Sequence, residues 1–279
     1  MTKLWTMLSD IYSVLWVDLR FLRRNWLRTL ATSLVAPLLY LVAFGYGLGS
    51  GITIDGYGYL EFVIPGIIAL TAMTSSFNGA AKLNVDRLFY KSFDECLMSP
   101  ISLFSLAMGK ALIGVVRGLI SSAALLGVAL FISPLLIVSP FFVLVLVLSC
   151  FVFAFLGVFV ALVAKSHQDM GNFSSLVLLP MTFLSSTFFS LSQLPEGLKG
   201  VLYALPLTHS SQCLRAAALG EPFPWTSFLA VLCFTLLFFS GCMIALKRAS
   251  VYVWNPAGTK TLFAINRVYY SKRKGRVDW

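Results

Sequence analysis

Six long apolar stretches dominate the sequence, and each is long enough to cross a bilayer as a helix, which takes about 20 residues. Hydrophobic residues make up 58% of the chain and charged residues only 11%, whereas a soluble domain carries about 25% charged residues. Lipid must therefore be the solvent for much of the surface. The sequence predicts an all-α integral membrane protein with six transmembrane helices, at Leu30–Leu48, Phe62–Leu83, Leu112–Ile132, Phe141–Ala164, Phe173–Ser192 and Trp225–Leu246.

The basic residues set the orientation of these helices. The chain has 21 Lys and Arg and a net charge of +10, and all of them except Lys199 and Arg215 fall on the side that holds the N-terminus. Because basic loops are retained in the cytoplasm, both termini are predicted to be cytoplasmic. Orientation in a membrane also explains the net charge without a nucleic acid partner. The chain then divides into an interface segment, 1–29, a transmembrane domain, 30–249, and a basic cytoplasmic tail, 250–279.

The segment Leu4–Trp26 has the pattern of an amphipathic helix. Apolar residues recur every three or four positions and polar residues fill the other face, as in helices that lie on a membrane. This segment is predicted to lie flat on the inner leaflet before the first span. The apolar positions are Leu4, Leu8, Ile11, Leu15, Leu19 and Leu22, and the polar positions are Ser9, Asp10, Ser13, Asp18 and Arg20.

A second short helix is predicted on the inner side, at Asn84–Ser99, where Pro100 ends it. Two interpretations remain open. The segment is either a solvated connector that rests on the membrane, or a mixed charged and aromatic surface for a cytoplasmic partner. Its apolar stripe consists of Val85, Leu88, Phe89, Phe93 and Cys96, and its polar residues are Asn84, Asp86, Arg87, Lys91, Asp94 and Glu95.

Residues 194–220, on the predicted outer side, are too apolar for a solvated loop, yet Pro195, Pro206 and Arg215 argue against a full span. We predict two short helices that dip into the outer leaflet as a re-entrant hairpin, broken at Pro206 and capped by the glycine that follows. Irregular backbone at that depth has to be covered by protein. His209 is interpreted as making a structural hydrogen bond, with substrate contact as the less favoured alternative.

Motifs for chemistry are absent from the sequence. There is no GxxxxGK[ST] nucleotide-binding loop, no GxSxG or HExxH motif, and no CxxC spacing among the five cysteines. None of the predicted spans has a central Asp, Glu or His, which disfavours an ion-coupled transporter or a channel. No role is assigned to His167 and Asp169, on a short inner loop. Lys110 and Arg117 share a face near the inner end of the third span; they either snorkel to the headgroups or line an inward-facing substrate path.

Three stretches of the sequence match the motifs of one transporter family. The longest carries a proline in the fifth span, Phe-Leu-Ser followed by Phe-Phe, Leu-Pro at the start of the hairpin, and Pro-Leu-Thr-His; the stretches are Pro180 to Gly220, Tyr59 to Leu70 and Pro37 to Gly49. They resemble the ABC-2 type permeases of ABC exporters, most closely those of nodulation-factor and drug exporters, over residues 10–250. Ser185-Ser186-Thr187 and the long basic tail depart from the family pattern and leave the substrate open.

The resemblance implies that Leu4–Trp26 is the interface helix and that Asn84–Ser99 is the coupling helix, whose Phe89 or Phe93 enters a cleft on an ATPase subunit. Two copies of the chain would work with two ATPase subunits. ATP and Mg²⁺ would bind to the ATPase, so that this chain would hold no cofactor and would be a transporter subunit, not an enzyme. The residues assigned to the ATPase contact are Asp86, Arg87, Phe89, Lys91, Phe93, Asp94 and Glu95.

The resemblance also implies an exporter in the cytoplasmic (inner) membrane of a bacterium or archaeon. Its substrates would be amphiphilic or lipid-linked, such as drugs, lipo-oligosaccharides or polysaccharide-like molecules, and would move outward between two protomers. The candidates for an apolar constriction at the outer end of that path are Phe183, Phe188 and Phe189, and the remaining candidate residues of the path are Lys110 and Arg117.

Overall fold

The computed structural model describes residues 2–48, 53–54, 56–90, 92–99, 101–132, 137–189 and 195–252. These residues are almost entirely helical. Lys91 and residues 253–279, which form most of the predicted basic tail, lie outside the described residues.

The first half of the chain runs from a long N-terminal helix to the third long apolar helix. Helix α1 is followed by α2, which continues as a π-helical stretch at Leu41–Leu48, and then by a two-stranded antiparallel hairpin. The elements are α1 (Thr2–Arg24), α2 (Trp26–Tyr40), β1 (Thr53–Ile54), β2 (Tyr57–Gly58), α3 (Tyr59–Ala81), α4 (Leu83–Leu88), α5 (Ser92–Met98) and α6 (Leu103–Ile132).

The second half has two long helices with four shorter ones between them. A π-helical stretch at Ser174–Leu178 joins two of the short helices. The elements are α7 (Pro140–Val163), α8 (His167–Phe173), α9 (Leu179–Leu184), α10 (Glu196–Tyr203), α11 (Pro206–Leu219) and α12 (Trp225–Tyr252).

Five helical segments of the described chain are long and apolar enough to cross a membrane, and they match the predicted spans one, two, three, four and six. The fold is therefore that of an all-α integral membrane protein, as predicted. The predicted fifth span, Phe173–Ser192, is not among the five, because α9 ends at Leu184 and residues 185–189 are not helical. The count of six spans stays a prediction.

The core is formed where α3 packs between α6 and α7. Small residues let these backbones approach closely. A Cβ added at Gly114 would lie 2.6 Å from the Ser76 carbonyl oxygen, and one added at Gly157 would lie 2.6 Å from the Phe77 carbonyl oxygen. Helix α3 is buried along most of its length, while α2 and α12 are mostly exposed and thus available to lipid.

Helix α1 packs on α6 through a face that overlaps only in part with the apolar face that the sequence indicated. Val14, Asp18 and Leu22 are buried, and a Cβ added at Gly109 of α6 would lie 2.7 Å from Val14. The sequence pattern placed Asp18 on the polar face. Asp18 instead points into the protein, because it forms an ion pair there with Lys110. The exposed face carries large aromatic and aliphatic side chains, including Trp5, Leu8, Tyr12 and Trp16.

The region 195–220 folds into two helices, as predicted. Helix α10 ends before Leu205, Pro206 occupies the first turn of α11, and Gly220 ends α11 in the left-handed conformation with φ of +74°. Helix α11 is buried against α3, α7 and α12. Protein therefore covers this helix, as a re-entrant segment requires.

Candidate coupling surface and transport path

The predicted single helix Asn84–Ser99 is two helices with a break between them. Helix α4 ends at Leu88 and α5 begins at Ser92. At the break, the N–H groups of Phe89 and Tyr90 both donate to the Val85 carbonyl oxygen, so the regular pattern stops there. The prediction of one continuous apolar stripe is wrong, and the residues on either side of the break face in different directions.

This break separates the two aromatic candidates for ATPase contact. Phe93 is buried with 1% of its surface exposed and belongs to the core, whereas Phe89 is 66% exposed. Tyr90 is also exposed, and the ring of His167, at the start of α8, lies 6.2 Å from that of Phe89 in an edge-on arrangement. We call Phe89, Tyr90 and His167 the coupling surface. Sequence reasoning assigned no role to His167, because no periodicity links it to Phe89.

Asp86 and Arg87, assigned to the ATPase contact, point into the protein instead. Both terminal nitrogens of Arg87 donate hydrogen bonds to carbonyl oxygens at the end of α7, those of Leu162 and Ala164. A guanidinium there satisfies carbonyls that a helix end leaves free. Asp86 is buried and pairs with Lys110. Glu95 is exposed.

The other two residues assigned to the contact cannot be placed. Lys91 and the side chain of Asp94 lie outside the described residues. They stay predictions.

Four charged side chains meet where α1, α4 and α6 converge. The Lys110 Nζ lies 2.7 Å from Asp18 Oδ2 and 3.0 Å from Asp86 Oδ2, and the Lys82 Nζ lies 3.4 Å from Asp18 Oδ1. We call Asp18, Lys82, Asp86 and Lys110 the ion cluster. Lys110 is only 8% exposed. The proposal that it lines a substrate path, and the alternative that it snorkels to the headgroups, are both corrected: its ammonium is held between two carboxylates.

Arg117 lies about two turns further along α6 than Lys110, at the contact between α6 and α3. The aliphatic part of its side chain packs against Gly79 of α3. A Cβ added at Gly79 would lie 3.0 Å from Arg117 Cδ. The Arg117 Nε is buried and has no hydrogen-bond partner among the described residues. The structure leaves both interpretations of Arg117 open.

The candidate constriction is part of an aromatic cluster that joins the first span to the end of α9. Phe188 stacks on Phe44 with ring centroids 4.4 Å apart, and Tyr40 lies 5.6 Å from Phe188 and 6.2 Å from Phe183. Phe188 is buried, Phe189 is half-buried and Phe183 is 42% exposed. The candidate constriction thus lies in direct aromatic contact with the first span.

The irregular segment at residues 185–189 is fixed by side chains from other elements. Arg215 of α11 donates from Nη2 to the Ser186 carbonyl oxygen at 2.8 Å and from Nε to that of Phe62 at 3.0 Å, and its guanidinium lies 3.6 Å from the centroid of the Phe62 ring. The Tyr59 hydroxyl donates to the Phe188 carbonyl oxygen at 3.1 Å. Ser186 itself has φ of +50°, which few non-glycine residues adopt. The departure from the family pattern at Ser185–Thr187 therefore coincides with the break in the helix.

The remaining hairpin residues have structural contacts. The His209 Nε2 lies 2.8 Å from the Tyr203 carbonyl oxygen, which matches the favoured interpretation of a structural hydrogen bond. Pro195 is exposed and precedes α10, while Pro206 begins α11.

Comparison with known proteins decides the family. The model of the family described as "ABC-2 type transporter" matches residues 9–219. The chain belongs to the ABC-2 type transporter family. This permease is 28% identical over 248 residues to the protein named inner membrane transport permease YadH of Escherichia coli K12, covering 88% of this chain and 96% of that protein. It is 30% identical over 245 residues to nodulation protein J of Neorhizobium galegae, covering 81% of this chain and 90% of that protein.

Membership of the ABC-2 type transporter family indicates the kind of protein that this permease is. It is a multi-pass membrane subunit of an ABC transporter, a transporter subunit rather than an enzyme, and its family implies an ABC ATPase as a partner. The residues that contact such a partner have to lie on an exposed, non-spanning part of the chain, which is where the coupling surface lies.

Proposed function

We propose that this permease forms the membrane path of an ATP-driven exporter in the cytoplasmic (inner) membrane of a bacterium or archaeon. Two copies of the chain work with two ATPase subunits, which bind the ATP and Mg²⁺. Both termini are cytoplasmic, and the coupling surface docks on the ATPase. The observation that carries the proposal is the exposed Phe89 ring at the break between α4 and α5, backed by His167.

We further propose that the substrate is amphiphilic or lipid-linked and moves outward, and the aromatic cluster supports the apolar part of such a substrate. Tyr40, Phe44, Phe183 and Phe188 offer stacked and edge-on rings, which suit an apolar group. The half-exposed side chains of this cluster face away from their own chain, where a second copy can complete the path. The names of the relatives, a transport permease and a nodulation protein, are compatible with such a role.

The docking role is tested by Phe89→Ala. A buried aromatic anchor typically contributes 2 kcal/mol or more to a contact, which corresponds to a loss of affinity of about 30-fold. We expect the altered chain to insert normally but to lose most of the ATPase that co-purifies with the unaltered chain, together with its ATP turnover. The matched control is Phe131→Ala, because Phe131 is 93% exposed at the far end of α6. If Phe89→Ala and Phe131→Ala retained equal amounts of ATPase, the coupling surface would be a plain connector.

A further inference from the structure

The ion cluster connects α4 to two elements with which it otherwise has little contact, α1 and α6, and these two also pack directly on each other at Val14 and Gly109. Asp18 comes from α1, Asp86 from α4 and Lys110 from α6, and each of the three is at most 9% exposed. Lys82, at the junction of α3 and α4, adds a second contact to Asp18, and its ammonium lies 3.9 Å from the centroid of the Phe21 ring on α1. The Lys110 side chain thus binds α1, through Asp18, and α4, through Asp86, at the same time.

Stability alone does not account for such a cluster. Desolvating charges is costly, and well-packed apolar residues of similar size usually stabilise a protein as well or better. In some proteins buried ion pairs are retained because they specify one arrangement of elements over others. The two carboxylates and two ammonium groups here balance each other, so the cluster favours one placement of α4 relative to α1 and α6.

The location of the cluster relates it to the coupling surface. Asp86 lies three residues before Phe89, one turn of helix away. A displacement of Phe89 therefore moves Asp86, and Asp86 is bonded through Lys110 to Asp18 on α1. Helix α1 runs directly into the first span through Asn25 and α2.

We infer that Asp18, Asp86 and Lys110 are positioning residues that make α1 move together with the coupling surface. A change imposed on Phe89 by the ATPase passes through Asp86 and Lys110 to Asp18, and from α1 to the first span. This inference rests on the proposed function, since it needs an ATPase bound at Phe89. Asp18 and Lys82 thereby gain a role that neither the sequence pattern nor the family match assigns.

The experiment uses the permease bound to its partner ATPase in lipid nanodiscs and needs no knowledge of the substrate. Hydrogen–deuterium exchange is measured with and without ATP plus vanadate, which traps the closed ATPase. In the unaltered complex we expect the nucleotide to change the exchange of both α4–α5 and α1. In Asp18→Asn the response of α4–α5 should persist, while that of α1 should fall by about threefold or more, which is the scale of residues that modulate coupling.

Two further variants separate positioning from simple loss of fold. Asp18→Glu retains the charge and should restore the response of α1, and Asp10→Asn changes the other acid of α1, outside the ion cluster, and should leave the response intact. The half-buried thiol of Cys96 reports on local packing, because the charges of Lys110, Asp18 and Asp86 reach it and burial raises its pKa. In a Cys233→Ser background, slow modification of Cys96 shows that an altered chain is still folded at the cluster.

Two outcomes contradict the inference, and a third contradicts the proposed function. An α1 response in Asp18→Asn equal to that of the unaltered chain, with Cys96 still protected, overturns the inference. So does an unaltered complex in which α4–α5 responds to nucleotide and α1 does not. If the ATPase neither binds nor changes the exchange of α4–α5, the proposed function itself is wrong.

Discussion

Two buried cations lie at opposite ends of α3, about 30 Å apart by the rise of a helix, and they are stabilised in different ways. Lys110 is bonded to carboxylates of two other elements. Arg215 donates to backbone carbonyl oxygens of Phe62 and Ser186 and stacks on an aromatic ring. The first arrangement joins side chains that can exchange partners; the second fixes a stretch of backbone whose carbonyls are free because the helix is broken there.

The difference suggests a division of roles between the two ends. Arg215 is suited to hold residues 185–189 rigid, since a planar guanidinium binds two acceptors in fixed directions. Lys110, with a flexible stem and a compact charge, can follow a moving carboxylate. At one end of α3 a cation holds a backbone segment rigid, and at the other a cation links side chains of elements that can move.

The largest expected effect is that of Lys110→Met, which removes the cation between two buried carboxylates and leaves Asp86 without this partner and Asp18 with Lys82 alone. Breaking a buried pair in this way costs about 3–5 kcal/mol. We expect a marked fall in the unfolding temperature of the purified permease in detergent. The triple variant Asp18→Asn, Asp86→Asn, Lys110→Met should recover most of that loss, because the charge left in the ion cluster is that of Lys82, whose side chain is 30% exposed and reaches water. A triple variant as unstable as Lys110→Met would mean that the lysine stem, and not the charge, holds the site.

Arg215→Met should have the next largest effect, and it should resist any such rescue. It leaves the Ser186 carbonyl oxygen, in the non-helical segment, without its donor, which costs about 1–3 kcal/mol, and it removes the contacts with Phe62; the acceptors belong to the backbone and cannot be substituted. Arg215→Lys should recover only part of the stability, since one ammonium cannot reproduce both bonds and the ring contact. The same thermal measurement applies, with Lys199→Met as the control on half-exposed α10. Complete recovery of the unfolding temperature by Arg215→Lys would mean that an ammonium serves as well as a guanidinium at this site, and the proposed difference between the two ends would be wrong.

Much of the fold could be predicted because the apolar stretches are long and local. The five matched spans, the hairpin broken at Pro206, and the cap at Gly220 all depend on residues close together in sequence. The length of the fifth span could not be predicted in this way. Its apolar residues continue to Phe189, but Arg215 and Tyr59, far away along the chain, hold the backbone in another conformation.

The ion cluster was missed for a related reason. Lys110 is 92 residues from Asp18 and 24 from Asp86 along the chain, and a periodic pattern assigns every isolated acid to the solvent face. The family resemblance assigned Asp86 and Arg87 to the ATPase contact, and the partners that hold them inside the protein are also distant along the chain. Exposure of Phe89 and burial of Phe93 were equally invisible, because both occupy the same apolar stripe until the helix breaks between them.

The smallest expected effect concerns a charge that is exposed, Asp169, at the start of α8 beside the coupling surface. Its carboxylate accepts hydrogen bonds from the backbone N–H groups of Lys165 at 2.9 Å and Ser166 at 3.0 Å, and the Ser166 hydroxyl accepts one from the Asp169 N–H at 3.1 Å. These bonds, the side-chain contact with Ser166 first, lower the pKa of Asp169 below its ordinary value. A carboxyl whose pKa is lowered by folding stabilises the fold above its unfolded pKa, about 3.9, and that contribution is lost as the pH falls through the lower folded value. The start of α8 should therefore be unaffected near neutral pH and should loosen only in acid.

Asp169→Asn should reproduce the acid effect at neutral pH, and only slightly, because solvent screens an exposed charge. The measurement is the protection of the Lys165 and Ser166 amides from hydrogen exchange, corrected for the intrinsic effect of pH, in the unaltered chain and in Asp169→Asn. Asp10→Asn serves as the control. Protection that is independent of pH and of the substitution would mean that this capping box does not order α8. His167 would then be held against Phe89 by the ring contact alone, and Asp169 would not contribute to the order of the coupling surface.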